Sequence, residues 1–179
     1  MCERIVNEMS ALEGRSSLVY GRSEAGVVNE TTRRSLRLAP SLETVELVVG
    51  QLLACMGQIA EHFSVKLSEG EDPQFLRYQK GDFFVAHQDG NTGMLRLDTE
   101  RRLVSTVIFL GREVESLVEG RDVYCGGSLV FTNQRVAMEH AKFHMRGEPG
   151  MLIAFRSETT HEVTPVTHGE RYSIVSWYR

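Results

Sequence analysis

His87 and Asp89 are separated by a single residue, His161 follows 72 residues after Asp89, and Arg171 comes ten residues later. On a strand, residues i and i+2 share a face, so His87 and Asp89 can reach one metal ion from the same side. Two imidazoles and one carboxylate form the facial donor set suited to non-heme Fe(II). Three such ligands leave roughly three of six octahedral positions open. The third ligand, His161, has to arrive on a neighbouring strand, which the intervening length allows. Arg171 would add a planar guanidinium fork that can grip a carboxylate through two hydrogen bonds. A lone His-x-Asp is a short motif, and a single histidine is more often a hydrogen-bonded core or surface residue. The reading therefore depends on what flanks these positions.

The elements that must hold them fall into two textures. From Ser41, a side chain suited to an N-cap, apolar residues recur at Leu42, Val45, Val48, Val49, Leu52, Leu53, Met56, Ile59, Ala60 and Phe63. Steps of three and four over about six turns predict one helix whose apolar stripe packs on a sheet rather than on a partner. Residues 2 to 13 predict a shorter helix. After Pro73 come β-rich runs at Phe75 to Gln79, Phe83 to His87, Leu103 to Leu110, Ser128 to Phe131, Met151 to Phe155 and Tyr172 to Trp177. Short strands in close succession predict a mainly β fold, a sandwich or barrel. The long connections Gly90 to Arg102 and Asn133 to Glu148 are expected to act as lids beside the site.

A chain of 179 residues is most simply one domain, with residues 1–70 as largely helical support and 71–179 as the β core. A net charge of −4 gives no basic face for nucleic acid, so no nucleic-acid partner is expected. Arg96, Arg101 and Arg102 cluster near the metal motif and read best as a solvated loop. No window approaches a membrane span, and Met1 to Glu8 is not a signal peptide. Three cysteines (Cys2, Cys55, Cys125) argue against a disulfide framework and, with the acidic residues of Met1 to Glu8, lead to the expectation of a cytoplasmic protein.

At Phe75 to Asp89, Tyr124 to Phe131, Gly150 to Phe155, His161 to Val166 and Gly169 to Trp177 the chain resembles the prolyl 4-hydroxylase branch of the Fe(II)/2-oxoglutarate dioxygenases. The resemblance runs from about Phe75 to Tyr178. It implies a double-stranded β-helix (jelly roll) packed against the N-terminal helices, Fe(II) on His87, Asp89 and His161, and 2-oxoglutarate as co-substrate. Dioxygen is the second co-substrate, and ascorbate would serve as a reductant. Arg171 takes the position of the family's basic residue for the distal carboxylate of 2-oxoglutarate, with Ser173 on the same strand face. Tyr78 matches a tyrosine near the C1 end of the co-substrate, and Trp177 matches a terminal-strand tryptophan. Arg102 stands where a substrate-side basic residue would lie. One departure is Phe109, aligned where the oxygen-sensing members place a tyrosine; another group has to make that contact. Asp89 itself argues against halogenation, which needs a small residue there. His140 and His144, four apart, could share a helical face, but nothing nearby completes a second metal site.

The resemblance implies hydroxylation of an unactivated C–H bond with release of succinate and CO2, the favoured substrate being a prolyl residue of a protein or peptide. A hydroxylase of a free or carrier-bound small molecule or amino acid would share every motif. Nucleic-acid demethylases usually carry further arginines after the second histidine, and a zinc cupin would not need Arg171. A non-catalytic binding module would show a lost ligand, and none is lost.

Overall fold

The apolar stripe beginning at Leu42 folds as a 22-residue helix, α2 (Leu42–Phe63), following a nine-residue α1 (Cys2–Ser10). The Ser41 hydroxyl caps α2 by accepting from the Thr44 amide at 3.4 Å, and Ser64 ends it in a left-handed conformation at φ 53°. By length and composition α2 also passes for a membrane-crossing helix, against the expectation that no segment approaches one. Its Thr44, Val48, Leu52 and Ile59 are buried in the protein. The computed structural model describes residues 1–19, 27–90, 99, 101–116, 120, 122–132 and 141–179. Most of the 90–102 connection and residues 133–140, His140 among them, lie outside that set.

Fourteen strands are described: β1 (Arg15–Ser16), β2 (Arg33–Arg34), β3 (Leu36–Leu38), β4 (Gln74–Tyr78), β5 (Phe83–His87), β6 (Val104–Phe109), β7 (Arg112–Glu113), β8 (Val123–Gly126), β9 (Leu129–Thr132), β10 (Lys142–Met145), β11 (Leu152–Arg156), β12 (His161–Val163), β13 (Val166–Gly169) and β14 (Arg171–Tyr178). A six-stranded sheet runs β1-β3-β4-β14-β6-β11 and a five-stranded sheet β10-β9-β12-β5-β2, both antiparallel throughout. A small third sheet, β13-β8-β7, holds the one parallel pairing among the described strands. This is the jelly-roll architecture expected. Two details differ. The first 70 residues are not helical support alone, because β1, β2 and β3 extend the larger sheets. His144 sits on β10, not on a helix, which removes the shared helical face with His140.

Alternation along β14 divides the protein into a structural side and a chemical side. Tyr172, Ile174 and Tyr178 join Ile5, Met9, Val48, Leu52 and Phe75 in the core between the helices and the six-stranded sheet. Arg171, Ser173, Val175 and Trp177 face the opposite way, into the space between the two large sheets. Every residue of β14 except Val175 is buried, so neither its register nor its face is free to slip.

Candidate active site

His87 is the last residue of β5 and His161 the first of β12; the antiparallel register places them directly opposite each other. Asp89, two residues beyond His87, brings Oδ1 to 3.4 Å from His87 Nε2 and Oδ2 to 3.5 Å from His161 Nε2. One ligand atom from each of the three lies within 4.8 Å of the others. The remaining ring nitrogens are held by backbone. His87 Nδ1 is 2.8 Å from the Val85 carbonyl and His161 Nδ1 2.9 Å from that of Thr159. With Nδ1–H donating to those oxygens, both Nε2 lone pairs are left for the shared space. Phe84 stacks on His87 at 3.5 Å between centroids, and Phe155 meets His161 edge-on at 4.7 Å, which fixes both ring planes.

Burial alone would raise the Asp89 carboxyl, but His161, His87 and a hydrogen bond donated by the Trp177 indole hold it far below the ordinary carboxylate range. Burial, and then the neighbouring His87, push His161 down to about 4 against the opposing pull of Asp89 and the Thr159 carbonyl. An ionised carboxylate beside a neutral His161 is the state a divalent metal requires of its ligands. Two imidazole nitrogens and one carboxylate, all from one side, fit Fe(II) with open positions remaining.

The three ligands line a cavity of about 270 Å³ that also takes in Arg171, Ser173, Tyr78, Trp177 and Arg102. Arg171 is 1% exposed, and its Nη1 donates to the Ser173 hydroxyl at 2.7 Å. Its guanidinium carbon lies 5.1 Å from the Tyr78 ring centroid and 5.3 Å from that of Phe109. Among the described residues no carboxylate pairs with Arg171, and its Nε has no hydrogen-bond partner. A buried cation without a counter-charge is costly, so the strand presents an anion site that wants a ligand carboxylate.

The sites expected at Arg171, Ser173, Tyr78 and Trp177 are thus brought together with the metal ligands. Arg102 is also beside the cavity, but as a committed cation. Its Nε and Nη2 donate to both oxygens of Glu71 at 2.8 and 2.6 Å, and its guanidinium lies 3.7 Å from the Trp177 ring centroid. Phe84 and Glu71 escaped the sequence reading. A phenylalanine and a glutamate carry no signal of role until the fold shows what they touch. Leu18, Val19 and Arg33 also line the cavity, from segments too short to show a period.

Residues 73–179 match the model of the 2OG-Fe(II) oxygenase superfamily. A PKHD-type hydroxylase of Shewanella sp. (strain ANA-3) is 27% identical, the match covering 96% of this chain and 71% of that protein. One of Paracoccus denitrificans is 26% identical over 98% of this chain and 72% of its own. Among solved structures, a Pseudomonas putida prolyl-4-hydroxylase shares the fold at a TM-score of 0.63 and 22% identity, over 100% of this chain and 98% of that one. A prolyl hydroxylase from Trichoplax adhaerens, in complex with a hypoxia inducible factor peptide fragment, matches at 0.63 and 18% identity, over 99% and 77%.

Proposed function

The chain belongs to the 2OG-Fe(II) oxygenase superfamily, and from that premise we propose that it hydroxylates a prolyl residue of a protein or peptide. The carrying observation is the single cavity that joins the His87–Asp89–His161 set to the buried Arg171, which pairs with no carboxylate among the described residues. When bound there, Fe(II) supplies the oxidising chemistry by which a C–H bond is hydroxylated as 2-oxoglutarate and dioxygen become succinate and CO2.

The chain's own residues bind and orient. Arg171 and Ser173 take the distal carboxylate of 2-oxoglutarate, and Tyr78 walls the cavity beside them. Trp177 acts through Asp89, its indole hydrogen-bonding the carboxylate and so helping to orient a group that would hold the metal. Phe84 and Phe155 hold the two imidazole planes, and Phe84 adds an apolar wall to that end of the cavity. Support for a prolyl substrate comes from likeness to the prolyl hydroxylases named above and from the mixed lining of the cavity, where Leu18 and Val19 join Arg33.

The test is succinate formation from 2-oxoglutarate by purified protein with Fe(II) and ascorbate under air, beside a His161→Ala control. It is followed by proline-containing peptides and free proline scored by mass for one added oxygen. Activity in the wild type alone, with oxygen gained on a peptide prolyl residue, is the expected result. Oxygen gained on free proline alone would replace the peptide reading with a small-molecule one.

A further inference from the structure

Three buried polar atoms without a hydrogen-bond partner among the described residues lie behind the cavity: Arg171 Nε, the Tyr124 hydroxyl and Glu113 Oε2. Their valences are complementary. The guanidinium Nε–H can only donate, the carboxylate oxygen can only accept, and a phenol does both. Neighbourhood is shown by the packing. Glu113 and Tyr124 are paired residues across the parallel β7–β8 ladder. A Cβ on Gly127 would lie 3.0 Å from Arg171 Cδ and 3.5 Å from Tyr124 Cε2. Arg171 and Glu113 are also the charged groups with the strongest electrostatic influence on the Tyr124 phenol.

The phenol occupies a slot made by absent side chains. A Cβ on Gly111 would come to 3.5 Å from its ring and one on Gly169 to 3.2 Å from its Cα. One on Gly147 would overlap its hydroxyl. The other Glu113 oxygen, Oε1, accepts from the Ser128 hydroxyl, which fixes the carboxylate at the far end. Arg171 already spends Nη1 on Ser173, so restraint at Nε would set the remaining freedom of the guanidinium plane.

We propose that Tyr124 is a positioning residue of the co-substrate site, relaying Glu113 to the Nε edge of Arg171 so that the guanidinium faces the distal carboxylate of 2-oxoglutarate. Nε–H donates to the phenol oxygen and the phenol O–H donates to Glu113 Oε2, which satisfies all three atoms and sets a carboxylate behind the buried cation. Phe109, whose ring also flanks Arg171, offers no such hydrogen bond. The relay rests on the 2-oxoglutarate assignment and is independent of the substrate's identity.

The test compares two 2-oxo acids on Mn(II)-loaded protein without oxygen: 2-oxoglutarate, and 2-oxopentanoate, which lacks the distal carboxylate. Tyr124→Phe keeps the ring and removes the hydroxyl; Glu113→Gln keeps the shape and removes the charge. In each variant we expect 2-oxoglutarate affinity to fall about 10-fold, with 2-oxopentanoate and Mn(II) affinity unchanged. In uncoupled turnover KM for 2-oxoglutarate rises while kcat holds. Unchanged 2-oxoglutarate affinity, or an equal loss for both acids, overturns the relay. Failure of the wild type to bind 2-oxoglutarate would instead overturn the co-substrate assignment itself.

Discussion

Arg102 lies over the face of Trp177, its guanidinium carbon 3.7 Å from the ring centroid, while the Trp177 indole donates to the metal-binding carboxylate of Asp89. Glu71 closes the arrangement. One of its oxygens takes Arg102 Nε and Arg179 Nη2, each at 2.8 Å, and the other takes Arg102 Nη2 at 2.6 Å. Arg102 Nη1 lies 3.4 Å from the Asp89 carbonyl as well. A bidentate pair clamped on an aromatic face is worth more than an exposed ion pair, and here it braces a ligand from behind.

Arg102→Ala is therefore expected to act on the metal before the substrate. The variant should lose about 1–3 kcal/mol of stability, since removal of one partner leaves the largely buried Glu71 carboxylate short of donors. Mn(II) affinity should fall several-fold. A thermal melt and a Mn(II) titration check both. If metal affinity and melting temperature stay at wild-type values while KM for a peptide substrate rises, Arg102 is a substrate contact instead.

How much of this could be read from the sequence follows from how many residues each signal spans. The stripe from Leu42 to Phe63 repeats over about six turns and ends in recognisable caps, so α2 is legible to the residue. β5 is equally clear, because the apolar run starting at Phe83 is bounded by Gly81-Asp82 and ends on its ligand. β1, β2 and β7 are two residues long, too short to show alternation, and they exist because a neighbouring sheet edge offers them hydrogen bonds. The ligand spacing is legible because metal chemistry restricts residue type. The Glu71–Arg102–Trp177 clasp was not, since its members come from three distant segments and any could stand on a surface.

Arg171→Lys keeps the charge and loses the fork. Lysine cannot span both a ligand carboxylate and Ser173 in one plane, so 2-oxoglutarate affinity should drop at least about 10-fold, with a larger loss in Arg171→Ala. Ser173→Ala, which removes one partner at 2.7 Å, should cost less than either. Calorimetric titration with Mn(II)-loaded protein ranks the three. A Ser173→Ala loss exceeding that of Arg171→Ala would show that the hydroxyl, not the guanidinium, dominates the anion site.

Tyr178 joins the chemical sheet to the helix behind it, its hydroxyl donating to the Leu52 carbonyl of α2 at 2.6 Å. Burial, with a smaller contribution from Cys55, pushes this phenol from 10.0 up to about 12. A folded-state pKa above the unfolded one favours the folded protein fully below pH 10, and that contribution disappears as pH rises towards 12. Tyr178→Phe should be about 1 kcal/mol less stable at pH 8, from the lost hydrogen bond. It should also show a shallower decline than wild type between pH 10 and 12, because there is no phenol left to ionise. Urea unfolding at pH 8, 10 and 11 for the two proteins separates the effects. Parallel declines would mean that Tyr178 ionises in the folded state as easily as in the unfolded chain, and that the alkaline loss of stability belongs to other groups, Tyr172 first among them, whose phenol is also pushed up to about 12 by burial and by Glu170.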